Sequence, residues 1–142
     1  MSARSKARKR AVDVLYAADV RGLDTRVVLD EATAQRAAAD EPALNEHTVA
    51  LVDGVRAHAE EIDELLGSYS LGWSVPRMPA VDRAILRMAA YELLWCPDVP
   101  DAVVIAEAVA LARDLSTDES ATFVNGLLAR LLEIKPRIAP AP

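Results

Sequence analysis

Five basic side chains fall within seven positions, Arg4, Lys6, Arg8, Lys9 and Arg10, all before the first acid, Asp13. Cations at this density displace condensed counterions from phosphates, which is the chemistry of nucleic-acid binding. A merely solubilising terminus would carry the same charges. Tyr16 lies about 20° around a helix from Lys9. There it would offer a stacking face, worth about 1–3 kcal/mol per base and tolerant of sequence; core burial is its other reading. Phe123, the only phenylalanine, is followed by Asn125 and Gly126, both poor helix formers. With Phe123 near Tyr16 the two rings would form one patch, and Asn125 would give a base or a backbone a bidentate polar partner. Otherwise Phe123 is a core anchor and Gly126 a point of close helix contact.

Other chemistries fail on residue types. The glycines, at 22, 54, 67, 72 and 126, are never closer than five apart and never precede Lys, so no phosphate-cradling loop is present. His47 and His58 stand about 16 Å apart on one helix, too far to share a metal ion. Ser116, Thr117 and Ser120 have no histidine nearby to activate them. The run Glu60, Glu61, Asp63, Glu64 reads as a solvated helix face. Lone Cys96 has no internal disulfide partner, which fits a reducing cytoplasm. The apolar run Ala102–Ala106 is cut by Glu107, far short of a membrane span. The basic start leads into Asp13 and Asp19, unlike a secretory signal. It continues into Val14 and Leu15, unlike a transit peptide. No catalytic residue, cofactor or metal is expected.

The elements that must hold these residues are helices. Of 142 residues, 52% are hydrophobic and 27 are alanine, and no stretch alternates like a strand. One domain is expected over 1–138, with a flexible Ala-Pro tail at 139–142. The net charge is −6, and removing the five arm charges leaves −11 for an acidic body. The spacing predicts helices from Ala3 to Val20 with Gly22 as stop, from the Asp24 cap towards Ala39, and from Glu46 to Tyr69. The last carries a seam of Thr48, Val52, Val55, Ala59, Ile62 and Leu66. Gly67–Pro79 separates two halves, about 1–69 and 79–138. Three more helices follow, over Ala80–Trp95, after Pro100, and from a Ser116–Glu119 capping box to Lys135-Pro136. On the first helix the basic residues are not expected to collect opposite the apolar stripe: Arg4 and Arg8 fall near its line, while Lys6, Lys9 and Arg10 lie elsewhere around the helix. Its first two turns are therefore expected to project into solvent or to stay unformed until a partner arrives, since burying them costs too much desolvation.

Ala7-Arg8-Lys9-Arg10-Ala11-Val12-Asp13-Val14-Leu15-Tyr16 resembles the opening helix of the NusB family of bacterial transcription antitermination factors. Val81-Asp82-Arg83-Ala84-Ile85-Leu86-Arg87 with Tyr91-Glu92-Leu93 is similar to the family's central block. Asp98-Val99-Pro100, Ala106-Glu107-Ala108-Val109 and Phe123-Val124-Asn125-Gly126-Leu127-Leu128 are similar to its closing one. The resemblance runs from about Ser2 to Leu132 and implies an all-α fold of two roughly perpendicular three-helix halves without catalytic activity. It implies binding to the boxA element of nascent ribosomal RNA together with NusE, a small-subunit ribosomal protein. The pair then joins other Nus factors on RNA polymerase. By position it places Arg4, Lys6, Arg8, Lys9, Arg10, Tyr16 and Phe123 on the RNA surface, with Glu119 beside Phe123 tempering affinity there, and Asp82 on the NusE side. Ser5 departs from the pattern at a place that is often basic, which shortens the arm. Family members occur as monomers and as homodimers that cover part of the RNA surface, and both states stay open here.

Two other functions compete. The same helical module fronts some ribosomal RNA cytosine methyltransferases, which need a further domain with a cofactor site and a nucleophilic cysteine. A protein-only adaptor would use the arm for solubility alone.

Overall fold

The computed structural model describes residues 2–138, so the tail expected at 139–142 lies outside the described residues. The Ser2 hydroxyl accepts from the Ser5 amide and starts α1, Ala3–Arg21. Gly22, at φ 67, ends it in the left-handed turn that a residue without Cβ takes at little cost. Asp24 accepts from the Arg26 amide and caps α2, Thr25–Ala38; Asn45 does the same for His47 and caps α3, Glu46–Ala57. Then come α4, Ala59–Tyr69, a 3-10 turn at Val75–Arg77, α5, Ala80–Trp95, α6, Asp101–Leu115, and α7, Asp118–Ile138. Among the described residues there is no strand, as the all-α expectation requires.

Three local expectations are corrected. The helix expected over Glu46–Tyr69 is two, broken at His58, whose backbone sits at φ −114 and ψ 22. The break has a tertiary cause. Gly54 lets Tyr91 of α5 press onto α3 so closely that a Cβ would lie inside its ring. The His58 ring stacks on Trp95 with centroids 4.2 Å apart. Of the expected seam, only Ala59, just past the break, is exposed. At α7, the cap is not the Ser116–Glu119 box. The Ser120 amide donates to Thr117 Oγ1 at 2.9 Å, one residue later, which leaves Glu119 exposed. Finally, α7 does not end at Lys135-Pro136 but runs through Pro136 to Ile138.

Helix α5 is the hub. It packs against α1, α3, α4, α6 and α7, while α1 also covers α2 and α3, and α6 pairs with α7. Leu51, Ile85, Leu86, Leu93, Leu127, Leu128 and Leu131 are fully buried in one core that crosses the expected division. Each such side chain contributes about 1.5–3 kcal/mol of burial. α4, expected in the first half, packs on α5 and α7 as well as α3.

Candidate nucleic-acid interface

One side of α1 faces the core with Ala7, Arg8, Ala11, Val12, Val14, Leu15 and Ala18. At 100° per residue, the opposite arc of about 120° carries Lys6, Lys9, Arg10, Asp13, Tyr16 and Val20. Arg4, Lys6 and Arg10 are exposed, and Tyr16 keeps 38% of its surface in solvent. Lys9 is half-exposed and reaches Asp13 at 3.3 Å, an exposed pair of little energetic weight. Lys6, Lys9 and Arg10 therefore do collect with Tyr16 opposite the buried stripe, against expectation, while Arg4 stands exposed at the helix start, near the line of that stripe. Chemically, such a face has the groups to neutralise phosphates and stack a base.

The ordered arm corrects the expectation that its first two turns would project or remain unformed. Arg8, expected on the RNA surface, points inward and is 3% exposed. Its Nε donates to Glu92 Oε1 at 2.8 Å and its Nη2 to Oε2 at 3.1 Å, a bidentate fork across α1 and α5. His47 Nε2 lies 2.8 Å from the same Glu92 Oε2. Arg8 Nη1 stands 3.6 Å from Glu107 Oε1, which accepts from the Ser5 hydroxyl at 2.6 Å. Thr48 Oγ1 donates to the Ala7 carbonyl at 2.9 Å. The desolvation cost that argued against packing is offset by a carboxylate the spacing of α1 could not reveal. Glu92 was the functional residue missed, although an acid on the apolar stripe of a central helix signals that a cation must meet it.

The second cluster lies where α7 begins. Glu119 and Asn125 are exposed, and Phe123 is half-buried. Its ring packs edge-on against Trp73, centroids 4.8 Å apart, so the aromatic partner found is Trp73 and not Tyr16. Trp73 was also missed; its signal was a large ring in a Gly- and Pro-rich link, where it must find something to cover it. Gly126 makes no close helix contact. A Cβ there would meet only the Arg130 guanidinium at 3.4 Å, and Arg130 uses that room to donate to the Tyr69 carbonyl at 2.7 Å.

Asp82, expected to face a partner, is instead fully buried in the first turn of α5. Neither of its carboxylate oxygens has a hydrogen-bond partner among the described residues. Its neighbour Arg83 bonds to Asp19 at 2.7 Å and to the carbonyls of Val75, Pro76 and Met78, clamping the 3-10 turn beside α5. A cleft of about 380 Å³ between α1, α2 and the α3–α4 break has its carboxylates paired, Asp24 with Arg56, Asp63 with Arg87 and Asp19 with Arg83. Burial pushes the Cys96 thiol above its ordinary value and makes it a poor nucleophile. Among the described residues no His, Cys, Asp and Glu side chains cluster to hold a metal, and no helix is long and apolar enough to cross a membrane.

Comparison with known proteins shows the family. The profile of the NusB family matches residues 5–133. A transcription antitermination protein NusB from Nocardioides sp. is 57% identical over 139 residues, 98% of this chain and 100% of that protein. One from Thermobifida fusca is 55% identical, covering 96% and 93%. Among solved structures, T. maritima NusB is similar with a TM-score of 0.79 at 31% identity over 92% and 90% of the two chains. A chain from a crystal structure of antitermination factors NusB and NusE with dsRNA is similar with a TM-score of 0.80 at 27% identity, over 94% and 98%.

Proposed function

The chain belongs to the NusB family and is a transcription antitermination factor, and from that premise we propose how it meets its RNA. The exposed arc of α1, with Lys6, Lys9, Arg10 and Tyr16, holds the boxA element of nascent ribosomal RNA, and Arg4 at the helix start reaches the same RNA from beside the arc. NusE binds alongside. Glu119, Phe123 and Asn125 at the start of α7 form a second patch, where the carboxylate limits non-specific attraction to phosphate. The pair then enters the antitermination assembly on RNA polymerase with other Nus factors, in the cytoplasm. Nothing in this role is catalytic; the protein is no enzyme.

The observation that carries the reading is the sorting of charge on α1. An acidic protein sets Lys6, Lys9, Arg10 and an exposed tyrosine on one ordered helical face. The acidic remainder suits a basic ribosomal protein. Asp82 is closed off in the chain alone, so a NusE contact at this position requires the first turn of α5 to open.

A gel-shift with boxA RNA and a scrambled control, with and without NusE, tests the proposal. Preference for boxA that strengthens with NusE is expected; equal affinity under all conditions would sink it. Sedimentation with increasing boxA reads whether a homodimer competes for the same face, in which case RNA addition yields monomer.

A further inference from the structure

Five cations crowd the arm, yet one of them, Arg8, is buried by the fold. The Arg8 guanidinium is enclosed, with two nitrogens committed to Glu92 and a third turned towards Glu107. An apolar side chain would seat α1 at least as cheaply, because replacing a buried ion pair by packed apolar groups is often neutral or stabilising. What an apolar contact lacks is direction. In the first two turns of α1 the buried face offers only Ala7 beside Arg8; the larger Val12, Val14 and Leu15 seat the helix further along, so these turns have little shape of their own to fix their rotation. A planar bidentate fork fixes that rotation. Turning α1 by about 100° would exchange Arg8 for Lys9 and carry Tyr16 off its face.

We propose that Arg8 and Glu92 are positioning residues of the RNA surface, with His47 and Glu107 bracing the pair. Glu92 holds Arg8, Arg8 sets the rotation and order of the first turns of α1, and these in turn aim Lys6, Lys9, Arg10 and Tyr16 at the RNA. Arg8 itself touches no phosphate. The inference rests on the RNA reading above, but its structural half is measurable without RNA.

The test compares Arg8→Lys, Glu92→Gln and the double variant Arg8→Met/Glu92→Met with the natural chain. Hydrogen exchange of amides 4–10 is read without RNA, and boxA affinity across a salt series with it. Arg8→Lys keeps the charge but not the fork. Faster exchange and about tenfold weaker binding are expected, roughly the fold-change of re-ordering one residue's backbone on binding. Lysine rescuing full affinity would mark Arg8 as a phosphate contact and overturn the proposal. Glu92→Gln is expected to weaken binding with an unchanged salt slope. Tighter binding with a slope steeper by about 0.7 would show a freed guanidinium engaging phosphate and would overturn it too. Should orphaned charge unfold either single variant, the double variant leaves none. It is expected to keep the natural slope, and a slope shallower by about 0.7 overturns the proposal. If the natural chain does not distinguish boxA from the scrambled RNA, the RNA reading fails, while unaltered exchange in Arg8→Lys and Glu92→Gln is the separate failure of this one.

Discussion

Replacing Lys6, Lys9 and Arg10 together by Ala removes three of the four exposed cations of the N-terminal arm, leaving Arg4. Each phosphate neutralised on a single strand contributes about 0.7 to the slope of log K against log salt. Four contacts give a slope of about −3, so affinity for boxA should fall about fiftyfold between 50 and 200 mM salt. With one contact left the slope is about −0.7, and the same change should cost only about threefold. Fold stability should barely move, within about 0.5 kcal/mol, because Lys6 and Arg10 are exposed and Lys9 gives up only its exposed pair with Asp13. Fluorescence anisotropy with labelled boxA RNA at four salt concentrations measures the slope, and urea unfolding controls for stability. A triple variant that binds as the natural chain does, with its slope intact, would refute the placement of the RNA on α1. The arm would then be a solubilising feature of a protein-only adaptor.

Phe123→Ala should weaken boxA binding by the loss of a stacking ring, about 1–3 kcal/mol, with a smaller loss of stability from the Trp73 pair; titrations at fixed salt and urea melts separate the two. Gly54→Ala drives a methyl into the Tyr91 ring and should destabilise by about 1–3 kcal/mol, read as a lower urea midpoint. Thr117→Ala should cost about 1 kcal/mol of stability and leave the Ser120 amide without its cap, whereas Glu119→Ala should cost little and tighten RNA binding. The Arg56 guanidinium, with the Arg26 amide, holds the Asp24 carboxyl at about 2, below its unfolded value of about 3.9. Its contribution is therefore present above about pH 4 and lost as pH falls through 2. The stability gap between the natural chain and Asp24→Asn should narrow over that window.

Local signals in the sequence carry the helices well. Gly22 stops α1, Asp24 and Asn45 cap α2 and α3, and prolines at 79 and 97 flank α5, Ala80–Trp95. These devices act within one turn of the residue that carries them. The break at His58 does not, because it depends on Tyr91 and Trp95 arriving from α5. The site divides the same way. Helical spacing sets Tyr16 beside Lys9, but that Lys6 and Arg10 join them on one exposed face emerges only with the buried stripe of α1 in place. Arg8 fell on the apolar line of that spacing, and its inward turn becomes intelligible only with Glu92, 84 residues away. Trp73 against Phe123 is likewise a meeting of distant segments, and so is the enclosure of Asp82.

The central claim is that one face of α1 meets the RNA. Amide chemical-shift mapping of the isotopically labelled protein on addition of boxA RNA tests it most directly. The account predicts the largest shifts at Lys6, Lys9, Arg10 and Tyr16, with a second set over Glu119–Asn125 and none along Glu60–Glu64. Shifts that spare residues 4–16 while appearing on α4 or within the α1–α2 cleft would contradict it.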